Sequence, residues 1–254
     1  MLVLLPPSET KTGRRRGRPL DLTRLSFPEL TAVREKVLEG VVAASERDDA
    51  TDVFEVPPSL AGEVARNRVL RTAPALPALD CYTGVLYDAL GYPSLTGPAR
   101  RRANRWLVVV SAVYGAVRPT DHVTPYRCRM GVDVPGVGPL APLWREHLDE
   151  VLSPAAGSGL VVDCRSTTYA TVWRPRAAAA GRWVKVAVPG ASHLAKHTRG
   201  LLARQLCLLG AEPRTPQALA EAVDDAFVTD LAGPAAAGRP WTLNVTPRPN
   251  GPCG

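Results

Sequence analysis

Lysine is scarce in this chain: of 31 basic residues only Lys11, Lys36, Lys185 and Lys196 are lysines, and the remaining 27 are arginines. Lys11 stands in the polar turn Pro7-Ser8-Glu9-Thr10-Lys11, directly after the apolar run Leu2-Val3-Leu4-Leu5. A compact ammonium where guanidinium is the habitual cation hints at a specific need for it. A turn that leaves a buried strand is a common place for a site, because the strand fixes its position while the loop stays open. An ordinary surface turn is the alternative reading.

Three further segments carry residues able to do chemistry. Ser111-Ala112-Val113-Tyr114-Gly115-Ala116-Val117-Arg118-Pro119-Thr120-Asp121 leads into Pro125-Tyr126-Arg127-Cys128-Arg129-Met130-Gly131. Arg118, Arg127 and Arg129 with Tyr126 suit phosphate holding and base or sugar stacking. Asp121 is expected to pair with one of these arginines. Asp163-Cys164-Arg165-Ser166-Thr167-Thr168-Tyr169 follows a strand, and Cys164 beside Arg165 is either a low-pKa thiol or a packed one. On the helix expected over 192–209, His193, Lys196, His197 and Arg204 fall in one stripe together with Gly200, which leaves room for a backbone or bulky anion. A solvated outer face is the plainer reading of that stripe. His193 and His197 have metal-ligand pitch, but no HExxH glutamate and no third ligand accompany them, so no metal is expected. Neither GxGxxG nor a P-loop occurs, and no cofactor is implied.

The elements that must position these residues follow from the hydrophobic pattern. Buried strands are expected over 2–6 and 106–111, and further strands over 160–164 and 183–188, the latter alternating at Lys185 so that one face meets solvent or ligand, with a short one at 241–245. Helices are expected from Ser26 to about Ala44, around 59–71, over 192–209 and over 216–225, and Cys81–Tyr87 enters another. Arg14–Arg18, with four arginines in five positions, cannot be buried and must lie in a loop. Strands and helices intermix without a clean linker, which predicts one compact mixed α/β domain of α+β class over 1–254, with a loop-rich tail at 233–254.

Composition narrows the function classes. The 254 residues carry a formal charge of +7, which favours nucleic acid or a phosphorylated ligand as partner. No apolar stretch is long enough to span a bilayer, so no membrane role is expected. Five dispersed cysteines without CxxC spacing fit a reduced, cytoplasmic protein.

The ordered blocks resemble the YaaA family of bacterial peroxide-stress proteins. Pro-Ser-Glu-Thr-Lys-Thr at 7–12 is similar to that family's turn after its first strand. Asp80-Cys81-Tyr82-Thr83-Gly84 is similar to its Asp-Val-Tyr-Thr-Gly. The most specific block is 111–131, where Ser111, Tyr114, Gly115, Arg118, Pro119, Asp121, Pro125, Tyr126, Arg127, Met130 and Gly131 coincide with the family signature. Leu143-Trp144, Ser166, Tyr169, Lys196 and Arg199-Gly200 extend the likeness. Arg129 replaces a family glutamate, and Asp163-Cys164-Arg165-Ser166 keeps only the serine of Asn-Leu-Ala-Ser. The resemblance implies a cytoplasmic DNA-binding protein that limits oxidative damage, with a helix-hairpin-helix element placed here near Ser59–Arg71.

Two functional readings result. In the first, duplex or branched DNA is bound without sequence specificity, with Ser8, Lys11, Tyr82, Arg118, Tyr126, Arg127, Ser166, Tyr169, Lys196, Arg199 and Arg204 as ligand-binding residues. In the second, an enzyme acts on a nucleotide or nucleobase in the same cleft, with Lys11, Asp163 and Ser166 as catalytic candidates and Arg127 holding the anion.

Overall fold

The computed structural model describes residues 1–190 and 192–249. Its centre is a seven-stranded mixed sheet: β1 (Leu2–Leu5), β2 (Leu107–Ser111), β3 (Gly115–Val117), β4 (Val161–Asp163), β5 (Trp183–Ala187), β6 (Phe227–Ala232) and β7 (Trp241–Pro247). The spatial order is β6-β7-β5-β4-β1-β2-β3. The five inner strands run parallel, and β3 and β6 close the two edges antiparallel. Inner parallel strands are covered on both faces, which is why β1 and β2 read as unbroken apolar runs, with Leu2, Val3, Leu4 and Leu5 all fully buried.

Six longer helices surround the sheet: α1 (Thr31–Ser45), α2 (Val85–Leu90), α3 (Gly97–Trp106), α4 (Leu140–Ala156), α5 (Ser192–Leu208) and α6 (Pro216–Ala222). The expected strands and the helices over 192–209 and 216–225 are present, and the helix expected from Ser26 begins at Thr31. Helices α3 and α4 and strands β3 and β6 were not among the expected elements, and Trp106 closes α3 rather than opening β2. Ser26 does not cap a helix; its backbone N–H and hydroxyl both donate to Asp121 Oδ1, at 3.0 and 2.9 Å. The segment 58–69 is a continuous run of 3-10, α and 3-10 turns. Gly62 lies inside its α-helical part, so the helix-hairpin-helix element placed near Ser59–Arg71 has no glycine turn at Gly62.

Two glycines are required by close approach. A Cβ on Gly200 would sit 2.1 Å from the Leu86 carbonyl oxygen, so this glycine is where α5 meets α2. It does not leave room for an anion, as the stripe suggested, because the fold's own backbone fills the space. Gly115, at φ 69°, faces the Trp144 ring, which a Cβ would meet at 2.4 Å.

The chain passes from β1 to β2 on one side of the sheet and later returns to β4 on the other side of β1. Such a reversal leaves a crevice outside the carboxyl ends of the strands, the usual ligand position in open parallel sheets. The segments after β1, β2, β4 and β5 all leave the sheet at this edge.

Candidate functional site

Lys11 is held at the carboxyl edge by a short antiparallel pairing with the segment before α2. It forms a bridge with Tyr82, Thr12 N–H donates to Cys81 O at 2.9 Å, and Thr83 N–H donates to Ser8 Oγ at 3.1 Å. Lys11 Nζ donates to Ser8 O at 2.7 Å and stands 4.1 Å from the Tyr126 ring centroid and 5.6 Å from that of Tyr82. No ion pair among the described residues involves it. Burial, reinforced by the Arg127 charge, draws its pKa down to about 8.

The ammonium lies beside a set of buried phenols. Tyr82 stacks on Tyr87 with centroids 5.5 Å apart, and Tyr87 Oη donates to Pro6 O at 2.6 Å, at the end of β1. Ser111, the last residue of β2, meets Tyr126 Oη at 2.8 Å. Tyr82 Oη is buried without a hydrogen-bond partner. Burial holds the Tyr82, Tyr87 and Tyr126 phenols well above their ordinary pKa, so all remain protonated donors at neutral pH.

Three more cations join from other elements. Arg127 Nη1 donates to Glu9 O at 3.3 Å, and Lys196 Nζ pairs with the Glu9 carboxylate at 3.7 Å. Arg199, on the same helix as Lys196, is near enough to Cys164, just past β4, for its charge to act on that thiol. The Nε groups of Arg127 and Arg199 are buried without partners. Such donors are costly to leave unmatched and point to an acceptor supplied by a ligand. Asn67 clamps Arg127 from behind: its Oδ1 accepts from Arg127 N–H at 2.8 Å and its Nδ2 donates to Arg127 O at 2.9 Å. Arg14, Arg15, Arg16 and Arg18 are all exposed, in the loop that follows the Lys11 turn and ends where Arg18 O accepts from Ala75 N–H.

The sequence-derived candidates therefore divide. Ser8, Lys11, Tyr82, Tyr126, Arg127, Lys196 and Arg199 come together. Ser166 is exposed just beyond β4, and the Tyr169 hydroxyl reaches the backbone of Met130, so both border the same edge. Arg118 does not join them: β3 carries it back to the opposite edge, where it donates to Arg105 O and covers the Phe27 ring. Arg204 donates to Leu90 O, Gly91 O and Ser94 Oγ, tying off the end of α2. Asp121 pairs with no guanidinium but accepts the Arg118 backbone N–H at 2.7 Å. Arg129 pairs with Glu55 at 2.9 Å.

Asp163 is built in rather than poised. Its oxygens accept from Arg165 Nε at 2.8 Å, Arg165 Nη2 at 2.7 Å and Trp183 Nε1 at 3.2 Å, all buried. Arg165 gives two further N–H groups to Tyr169 O and Trp173 O, fixing the loop after β4. Cys164 is not a low-pKa thiol; burial pushes it up to about 12. Ser111, Tyr87, Thr83 and Asn67 were not singled out as site residues, although Ser111 lay in the most specific block.

A separate open cleft of about 390 Å³ is lined by Pro142, Arg145, Glu146, Asp149 and Arg176. Asp149 there is occupied by Ser153 and Trp173, and Arg145 by Thr171 O. Among the described residues no cluster of metal-ligating side chains occurs, and no helix is long and apolar enough to cross a membrane.

The family model described as "Peroxide stress protein YaaA" matches residues 1–231. The chain is 47% identical over 254 residues to a UPF0246 protein of Streptomyces coelicolor, covering 96% of this chain and 98% of that one. It is 39% identical over 251 residues to a UPF0246 protein of Corynebacterium efficiens, covering 96% and 99% respectively. A UPF0246 protein of Corynebacterium glutamicum is 38% identical over 225 residues, covering 85% and 89%. With a match reaching from the Lys11 turn through α5 to β6, the chain belongs to the YaaA family of peroxide stress proteins.

Proposed function

We propose that this protein binds DNA by its phosphates, without sequence specificity, as part of a cytoplasmic response to peroxide. The observation that carries this reading is the gathering of Lys11, Arg127, Lys196 and Arg199 at one sheet edge, with the exposed arginines of the 14–18 loop following the Lys11 turn. Glu9 is the carboxylate that pairs among them, so the net field there is positive. Arginine forks and a point-charge lysine suit phosphate oxygens, and the unmatched guanidinium N–H groups supply further donors. Arg118 and Arg204, bound to carbonyls elsewhere, play no part in it.

The test is a salt titration of the affinity for a labelled duplex. With about six phosphates neutralised, log K should fall with log salt at a slope of about −5. Replacing Arg14, Arg15, Arg16 and Arg18 together by glutamine should reduce that slope by up to about 4. An affinity indifferent to salt, or a slope untouched by the fourfold replacement, refutes the reading.

A second reading, an enzyme acting on a nucleotide or nucleobase, is favoured by Lys11 itself. Phosphate binding alone gives no reason to surround an ammonium with tyrosine rings and draw its pKa down to about 8. Lys11→Ala separates the two: a binding protein loses one phosphate contact, whereas an enzyme loses orders of magnitude in turnover.

A further inference from the structure

We propose that Lys11 is an imine-forming amine for an aldehyde that carries a phosphate, and that the Tyr82 phenol delivers the proton with which water departs. This deepens the enzymatic reading of the site and takes its phosphate from the neighbouring arginines.

The geometry supplies each part. An amine attacks a carbonyl only when unprotonated, and burial without a carboxylate partner is how proteins favour that form. Lys11 Nζ has one backbone acceptor, Ser8 O, and otherwise lies beside the faces of Tyr126 and Tyr82. The titratable groups that act on it are Cys81, Arg127, Cys128 and Glu63. Both thiols are pushed up to about 12 by burial and so remain neutral.

Counting donors identifies the acid. Ser111 Oγ accepts from Val113 N–H at 3.3 Å and Tyr114 N–H at 3.0 Å, so both its lone pairs are taken and its proton goes to Tyr126 Oη. Tyr126 therefore keeps its own proton to give. Tyr82 Oη is the third hydroxyl of this group: it lies close enough to Ser111 and Tyr126 to interact with both, yet it makes no well-aligned hydrogen bond. The chain of hydroxyls ends in a buried phenol without a well-aligned acceptor, on a ring whose centroid stands 5.6 Å from the amine. In the reaction Lys11 nitrogen bonds to the aldehyde carbon and the carbonyl oxygen takes up a proton from the amine. The carbinolamine C–O bond then breaks as Tyr82 protonates the leaving hydroxyl. The nitrogen's last proton returns to the phenolate, so one imine and one water are formed with no net redox change. Arg127 and Arg199, with free Nε–H groups, and Lys196 would hold the phosphate.

The chain's four lysines make the test direct. At pH 7.5 a pKa of about 8 leaves roughly a quarter of Lys11 neutral, against about a thousandth of an ordinary lysine, a ratio of about 200. The full-length protein is treated with pyridoxal 5′-phosphate and sodium borohydride, and the label is located by peptide mass mapping. Lys11 should be labelled at least tenfold faster than Lys36, Lys185 or Lys196. Pyridoxal, which lacks the phosphate, should react more slowly. Lys11→Arg should lose that label while keeping its fold by circular dichroism, and Tyr82→Phe should slow labelling even at saturating pyridoxal 5′-phosphate. Even labelling of the four lysines, or the same rate in Lys11→Arg, overturns the proposal. Two arms identify the source of the aldehyde: glyceraldehyde 3-phosphate as a free metabolite-like probe, and a duplex with a single abasic site, trapped as a protein–DNA crosslink through Lys11. Loss of salt-dependent duplex binding with Lys11 still labelled would sink the DNA reading alone. Intact duplex binding without selective labelling would sink the imine alone.

Discussion

Substituting Asp163→Asn distinguishes a structural carboxylate from a catalytic base. Asp163 and Arg165 are 2% and 3% exposed, and the two-pronged pair between them is the guanidinium's charge compensation. Asparagine retains one acceptor oxygen but turns an NH₂ group toward donors on Arg165 and Trp183, and it leaves a buried cation uncompensated. Breaking a buried pair from one side costs about 3–5 kcal/mol. For a domain of this size that lowers the melting temperature by roughly 6–20 °C. Because Arg165 also holds Tyr169 O and Trp173 O, the loop after β4 should loosen with it. Urea unfolding gives the free energy, and duplex affinity measured well below the transition gives the functional effect. The double substitution Asp163→Leu with Arg165→Met should recover much of the loss, since it removes both charges together. A stable Asp163→Asn protein with its melting point within about 2 °C of the parent, or one that loses turnover while fully folded, would refute this reasoning and return Asp163 to the chemistry.

Gly200→Ala should destabilise by several kcal/mol, about 3 or more, because its Cβ would meet backbone at 2.1 Å; thermal melts with the exposed Gly210→Ala as control read this out. Lys11 has a folded pKa below its unfolded one, so its burial costs stability at pH below about 8 and that cost fades as pH rises past 10. Lys11→Met should therefore stabilise the fold at pH 7 by up to about 3 kcal/mol, with the gain shrinking toward pH 10.5, as denaturant titrations across that range would reveal. Burial pushes Cys81, Cys128, Cys164 and Cys207 up to about 12, so none should react with a thiol reagent at pH 8 until the chain is unfolded. Fast labelling of any of the four in the native protein would contradict that burial. Arg204→Lys should leave the salt slope of duplex binding unchanged.

Much of this molecule could be read without coordinates. The unbroken apolar runs at 2–5, 107–110 and 160–162 are legible as strands because burial on both faces removes any alternation. Arg14–Arg18 is legible as a surface loop because no fold can bury that much charge. The rarity of lysine drew attention to Lys11, and residue type plus order was enough to assign the family. Helices α3 and α4 were missed although their buried residues recur at helical spacing, Ala99, Ala103 and Trp106 in the first and Leu140, Trp144, Leu148 and Val151 in the second; the arginines of the one and the prolines of the other obscure that stripe.

What the tertiary structure decided is which of many similar cations belong together. Arg118 and Arg127 stand nine positions apart in one signature block, yet the antiparallel return of β3 sends the first to the opposite edge of the sheet. Lys196 and Arg204 share a helix, yet the first meets Glu9 while the second is consumed by the end of α2. Asp163 looked available as a base and proved to be half of a buried pair, since that depends on where Arg165 and Trp183 point. Residue types state what chemistry is possible, but desolvation and partnership are properties of three-dimensional neighbours, and these alone make Lys11 unlike the other lysines of the chain.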